Sequence, residues 1–180
     1  HSFYSRRNRP YLYSDYTIFV AEVASTFNES LLTKFFLSQD IERDMRIYLL
    51  CREIDNFRGT LYRQTMFAEF EHRVYEVAEN NQPLTIETFQ EIYKGLLELY
   101  FGSGLVLDDC LFLECFRIPH FYFSFYVYKY ATGISAAYAL ADRVLSGGEQ
   151  ELGDYLNFLK SGGSKYPIDL LKDAGVDMNS

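Results

Sequence analysis

Three carboxylates seven residues apart, Asp15, Glu22 and Glu29, are the first residues in this chain whose type and spacing could do chemistry. In a helix of 3.6 residues per turn they share one stripe, with Ser25 and Thr26 beside Glu22 and Ile18, Phe19, Val20, Val23 and Phe27 around them. An isolated carboxylate in apolar surroundings costs roughly several kcal/mol, so a buried Glu22 requires a cation, a metal ion or several hydrogen-bond donors. An exposed face carrying three acids explains the same spacing equally well, because most helical acids are solvated. The second group is His120 with Tyr122, Tyr126, Tyr128 and Tyr130. Imidazole N–H and phenolic O–H donors can stabilise the oxyanion that forms when a carbonyl is attacked. Aromatic residues at that spacing also serve as helix-packing core. His1, His72 and His120 contain no i, i+4 pair, so they make no metal-binding helix face by themselves.

The elements that must position these groups read as helices throughout. A helix capped by Ser14 or Asp15 runs to about residue 37, where Ser38-Gln39-Asp40 interrupts it and Ser38 or Asp40 can cap the next. Residues 41–79 lack proline and carry apolar residues at helical spacing, which predicts one very long helix or two collinear ones with Gly59 as the weak point. His72, between Glu71 and Arg73, belongs to a charged and solvated stretch. A turn at 80–83 precedes a helix opening at Thr85 and closing at Gly102-Ser103-Gly104. Residues 107–114 suggest a short helix, although their periodicity would also suit a strand, and the chain turns around Pro119. A helix over 121–144 then carries the tyrosines, with Gly133 allowing either substrate approach or tight helix packing. Short helices over 154–159 and 167–172 end the chain. No strand pair or internal repeat is found, and the fold class is all-α.

With 180 residues the chain can bury one sizeable core, so a single all-α body over 1–180 is expected. Apolar residues make up 48%, which excludes a disordered chain, and no apolar run is long enough for a membrane span. A net charge of −8 argues against nucleic acid as a partner, since phosphate binding needs a positive surface. The 16 Tyr and 16 Phe suit interlocked helices or a groove for extended peptide. Cys51, Cys110 and Cys115 are odd in number and scattered, which fits a reducing, cytoplasmic setting, with Cys110 and Cys115 as core residues.

Three separated segments carry a resemblance. HSFYSRRNRPYLYS followed by YSDYTIFVAEVASTFNE, then IPHFYFSFYVYKYATG, then FLKSGGSKYPIDLLKDAGVDM are similar to the oligoendopeptidase F group of the thimet oligopeptidase-like zinc metallopeptidases. The resemblance implies a multi-helix part of a zincin-like catalytic domain and cleavage of short oligopeptides with one zinc ion. Glu22 matches the family's third zinc ligand; Glu29, two turns beyond it on the same stripe, is placed to accept a hydrogen bond from a ligand histidine, and an ordinary buried hydrogen bond explains it as well. His1 resembles the last histidine of His-Glu-x-Gly-His-x-x-His, so the two zinc histidines and the general-base glutamate would lie upstream. The chain thus reads as a C-terminal fragment whose partner is the upstream part of the same enzyme, and which is inactive in isolation. The family's Tyr-Tyr-x-Tyr resembles Phe125-Tyr126-Val127-Tyr128, which makes Tyr128 a transition-state donor and leaves a phenylalanine at the first position. His120 matches the family histidine, at a shorter spacing from Tyr128 than in the thimet branch. The competing reading is a non-catalytic helical module that binds peptides or a partner through an aromatic groove.

Overall fold

Apolar residues at positions 20, 23, 24 and 27 follow the i, i+3, i+4, i+7 rule, and they form the buried face of α3 (Ile18–Ser38). The computed structural model describes residues 1–104 and 106–178. Ahead of α3 lie α1 (Ser2–Asn8) and α2 (Tyr11–Ser14), separated where Arg9 becomes extended and Pro10 opens the next turn. After it come α4 (Arg43–Asn56), a π-helical turn (Phe57–Tyr62), α5 (Arg63–Glu79) and α6 (Ile86–Phe101). Two 3-10 segments (Asp109–Phe116 and Pro119–Tyr122), α7 (Tyr128–Ser146), α8 (Glu149–Lys160) and α9 (Pro167–Asp173) complete the chain. There is no strand among the described residues, so the all-α fold class holds. No helix among them is long and apolar enough to cross a membrane.

Helical structure persists from 43 to 79, and the weak point expected at Gly59 is a widened π turn. Several helix starts differ from expectation. The first turn of α3 follows Thr17, because Asp15 is extended (φ −81°, ψ 156°), and α4 follows Glu42 rather than Ser38 or Asp40. Helix α8 begins at Glu149, earlier than the sequence indicates, because the Glu151 carboxylate accepts the Gly148 N–H at 2.7 Å.

The chain divides into two compact units, His1–Phe57 with Thr132–Ser180, and Arg58–Ala131. The core of the first joins Val20, Val23 and Phe27 of α3 to Leu140, Tyr155, Phe158 and Leu171, with Phe27 and Tyr155 stacked at 3.7 Å. Its two chain segments are stitched by backbone acceptors. Ser5 Oγ donates to the Leu159 carbonyl at 3.1 Å, Arg9 Nε to that of Lys160 at 3.2 Å, and the Gly163 N–H to that of Tyr13 at 3.0 Å. Gly162 has φ +51°, and a Cβ there would lie 2.2 Å from the Tyr13 carbonyl oxygen, so this turn requires glycine.

The second unit has an aromatic core of Met66, Phe67, Phe70, Tyr93, Leu96, Cys115 and Val127. One carboxylate anchors it: Glu114 accepts from Arg63 (2.6 Å), Arg117 (2.8 Å) and the Tyr93 hydroxyl (2.7 Å). Burial first, and then this bond, push the Tyr93 hydroxyl well above the usual phenol range. Burial pushes the Cys115 thiol up to about 11. Cys110, expected in the core with Cys115, is exposed.

Candidate active site

Glu22 stands near the middle of α3, half-buried, directly before the buried pair Val23 and Ala24. The stripe of three acids does not form as expected. Asp15 precedes the helix and Glu29 is exposed, so Glu22 is the member that sits at the margin of the apolar face. Glu29 borders a polar recess of about 320 Å³ shared with Ser30, Arg52, Glu53 and Tyr138. There the Tyr138 hydroxyl donates to Glu53. Burial holds the Glu53 carboxyl above its ordinary range, against the opposing pull of Arg52 and Lys34. The His1 ring stacks on Tyr16 at 3.8 Å and tilts against Phe158 at 5.7 Å.

A catalytic zinc ion takes three protein ligands and keeps a fourth position open. Among the described residues no three His, Cys, Asp or Glu side chains converge on such a point. The carboxylate of Glu22 has the donor chemistry of one ligand, so these residues fit the ion as a contributor and not as a complete site.

The second unit holds His120 and Tyr128, and their setting departs from the single helix expected over 121–144. His120 lies in the 3-10 segment Pro119–Tyr122, and α7 begins only at Tyr128. The cause is at Phe125, whose φ of +54° breaks helical geometry and whose N–H goes to Glu71 Oε1 at 2.6 Å. His120 Nε2 pairs with Tyr130 Oη at 3.2 Å, its ring stacks on Tyr126 at 5.5 Å, and Tyr130 meets it edge-on at 5.7 Å. Tyr126 and Tyr130 are therefore ring partners of His120, both of them half-buried. Tyr122 is not: it is 74% exposed and donates to the Phe116 carbonyl at 2.9 Å.

Tyr128, 48% exposed, borders a cleft of about 340 Å³ whose other walls include Glu71, His72, Tyr75, Glu76 and Phe125. His72 is solvent-exposed there, as expected, 4.0 Å from Glu76. Glu71 and Tyr75 also border an apolar cavity of about 500 Å³ lined by Phe70, Phe89, Phe116 and Phe121. Gly133 is buried, but a Cβ there would meet nothing within 4 Å, so tight helix packing does not account for it. Glu71, 7% exposed, is the residue that sequence reasoning passed over as part of a charged stretch. A signal was present, because position 71 continues the stripe of Met66, Phe67, Phe70 and Val74, where a carboxylate is out of place.

A family model, peptidase family M3, matches residues 1–180. The chain belongs to peptidase family M3. Among its M3 relatives it is 51% identical over 180 residues to Oligopeptidase PepF of Bacillus subtilis (strain 168), covering all of this chain and 27% of that protein. It is 45% identical over 182 residues to Group B oligopeptidase PepB of Streptococcus agalactiae serotype III (strain NEM316), covering 100% and 30%. The crystal structure of oligoendopeptidase-F from Enterococcus faecium superposes with a TM-score of 0.87 at 44% identity, over 92% of this chain and 32% of that one. This M3 chain thus spans less than a third of the length of these relatives.

Proposed function

We propose that this chain works as part of a zinc-dependent endopeptidase that hydrolyses short oligopeptides in the cytoplasm. The observation that carries the reading is the match to family M3 along the whole chain, with relatives named oligopeptidase and oligoendopeptidase. On this reading residues 1–180 are the C-terminal part of the catalytic domain, and the histidines that complete the metal site come from the upstream part of the same enzyme. Zinc, when bound, polarises the scissile carbonyl and activates water.

Glu22 supplies one oxygen ligand from a helix whose apolar face is fixed in a core, so the carboxylate is held without its own flexible loop. His120 and Tyr128 are hydrogen-bond donors to the oxyanion that develops on the substrate carbonyl. When Tyr130 Oη donates to His120 Nε2, the imidazole proton resides on Nδ1, and Nδ1–H is the donor. Tyr128 begins α7 and borders a cleft, which suits a hydroxyl that must reach an incoming peptide.

Substituting Glu22→Gln in the whole enzyme tests the metal role. Bound zinc and hydrolysis of a fluorogenic oligopeptide should fall together, the rate by at least about 10³-fold, beyond the 10- to 100-fold typical of residues that only support a ligand. Wild-type metal content and rate would show Glu22 to be structural.

A further inference from the structure

We infer that Glu71 is a positioning residue for Tyr128, fixing the backbone just ahead of α7; this rests on the reading of Tyr128 as an oxyanion donor. Phe125 occupies the left-handed region at φ +54°, an unfavourable conformation for a bulky L-residue that persists only when its surroundings impose it. Here they do so from one rigid helix. Glu71 Oε1 accepts the Phe125 N–H at 2.6 Å. One turn further along α5, the Tyr75 ring stacks on that of Phe125 at 4.8 Å, and the Tyr75 hydroxyl donates to Ser124 Oγ at 2.7 Å.

Only Tyr126 and Val127 separate the clamped residue from Tyr128, and Val127 is wholly buried in the core of the same unit. The clamp and the buried valine leave the chain little freedom before the first residue of α7. The hydroxyl of Tyr128 thereby inherits its place from α5, and Glu71 itself forms a wall of the cleft that Tyr128 borders. A carboxylate among Met66, Phe67 and Phe70 is costly as packing, and its bond to a loop amide is what it supplies there.

The test uses the whole enzyme with a fluorogenic oligopeptide. Glu71→Met keeps the length of the side chain and removes the acceptor; kcat per folded molecule should fall about 10- to 100-fold with KM within about threefold. Glu71→Gln retains an acceptor oxygen and should restore kcat to within about threefold of wild type. Exchange of the Phe125 amide, followed in zinc-free enzyme, should quicken in Glu71→Met and not in Glu71→Gln. The double variant Glu71→Met/Tyr128→Phe should be no slower than Tyr128→Phe alone, since both changes remove one contribution. If Glu71→Met does not fold, Glu71→Asp, with the charge kept and the reach shortened, should show the same loss. Wild-type kcat in Glu71→Met or Glu71→Asp, equal losses in Met and Gln, or full additivity with Tyr128→Phe would overturn the inference while leaving Tyr128 in place. Wild-type kcat in Tyr128→Phe would remove the reading beneath it.

Discussion

In the unit formed by His1–Phe57 and Thr132–Ser180, Glu22 sits on a 21-residue helix located by four apolar residues at helical spacing. In the Arg58–Ala131 unit, His120 and Tyr128 flank an irregular stretch held by a buried carboxylate 54 residues away in sequence. The same pair of groups also behaves differently in the two. Tyr138 donates to Glu53 in the first unit and Tyr100 to Glu69 in the second. Desolvation dominates at Glu53 and raises its carboxyl; the Tyr100 bond dominates at Glu69, aided by Arg73, and lowers it. Local surroundings, rather than residue identity, decide what a carboxylate does here. On the proposed reading, a ligand on a regular helix should tolerate change elsewhere in its unit, whereas donors on irregular backbone should depend on each anchor.

The largest effect that separates the two regions from the rest of an enzyme concerns the 180-residue chain by itself. It should hold no stoichiometric zinc after dialysis and show no peptidase activity, because one carboxylate ligand cannot retain the ion against water and buffer. Metal analysis with a fluorogenic peptide assay checks this, and robust turnover would overturn the proposed division of ligands. Next in size is Tyr128→Phe in the whole enzyme. Phenylalanine keeps the ring, so folding and KM should change little while kcat falls by on the order of 10²–10³, roughly 3–4 kcal/mol. A structural tyrosine would give the reverse pattern, a lower melting temperature with kcat near wild type.

Gly162→Ala probes the first unit alone. The positive φ and the collision with the Tyr13 carbonyl should cost at least about 2 kcal/mol and lower the melting temperature by several degrees. Residual kcat per folded molecule should stay near wild type, which thermal unfolding and active-site titration together would show. The smallest effects, each within about 1 kcal/mol for groups this solvated, come from the two tyrosine–carboxylate pairs and have opposite signs. Glu53 is raised in the folded state, so its contribution is present below its unfolded value and lost as pH rises through the folded one. Glu69 is lowered, so its contribution is present above the ordinary carboxylate value and lost as pH falls through the folded one. At pH 7, Glu53→Gln should therefore be neutral to stabilising and Glu69→Gln destabilising, and both differences should shrink near pH 3. Thermal unfolding across that range measures them, and parallel curves would mean that neither pair titrates with folding.

What was legible in the sequence follows the regularity of the backbone and not the boundary between the units. Helices α3, α6 and α9 were readable because apolar periodicity ends at residues that punctuate the backbone, such as Thr85, whose hydroxyl accepts the Thr88 N–H, and Pro167. Glu22 could be picked out as a carboxylate beside an apolar face. The segment 121–127 was not readable, since its aromatic run fits a helix and nothing local announces that the Phe125 N–H is taken by α5. Asp15 was drawn into a stripe it does not join for a similar reason. The backbone at 13–15 is set by the Gly162-Gly163 turn, where a Cβ on Gly163 would lie 2.6 Å from the Asp15 carbonyl oxygen. Long-range bonds to backbone groups leave no periodic trace in the residues that receive them.

The stitching of Ser5 to Leu159, residues 154 apart, has a consequence for the order of events at the ribosome. The unit containing α3 is discontinuous, so its apolar face is synthesised long before Phe158 and Leu171, which share its core, have emerged. Loop-closure entropy delays such distant pairings, while the contiguous Arg58–Ala131 stretch can condense on local contacts as it is made. Nascent chains should therefore acquire protease resistance over 58–131 before the α3 unit does, and the helix bearing Glu22 remains exposed to chaperones until Phe158 and Leu171 have been made.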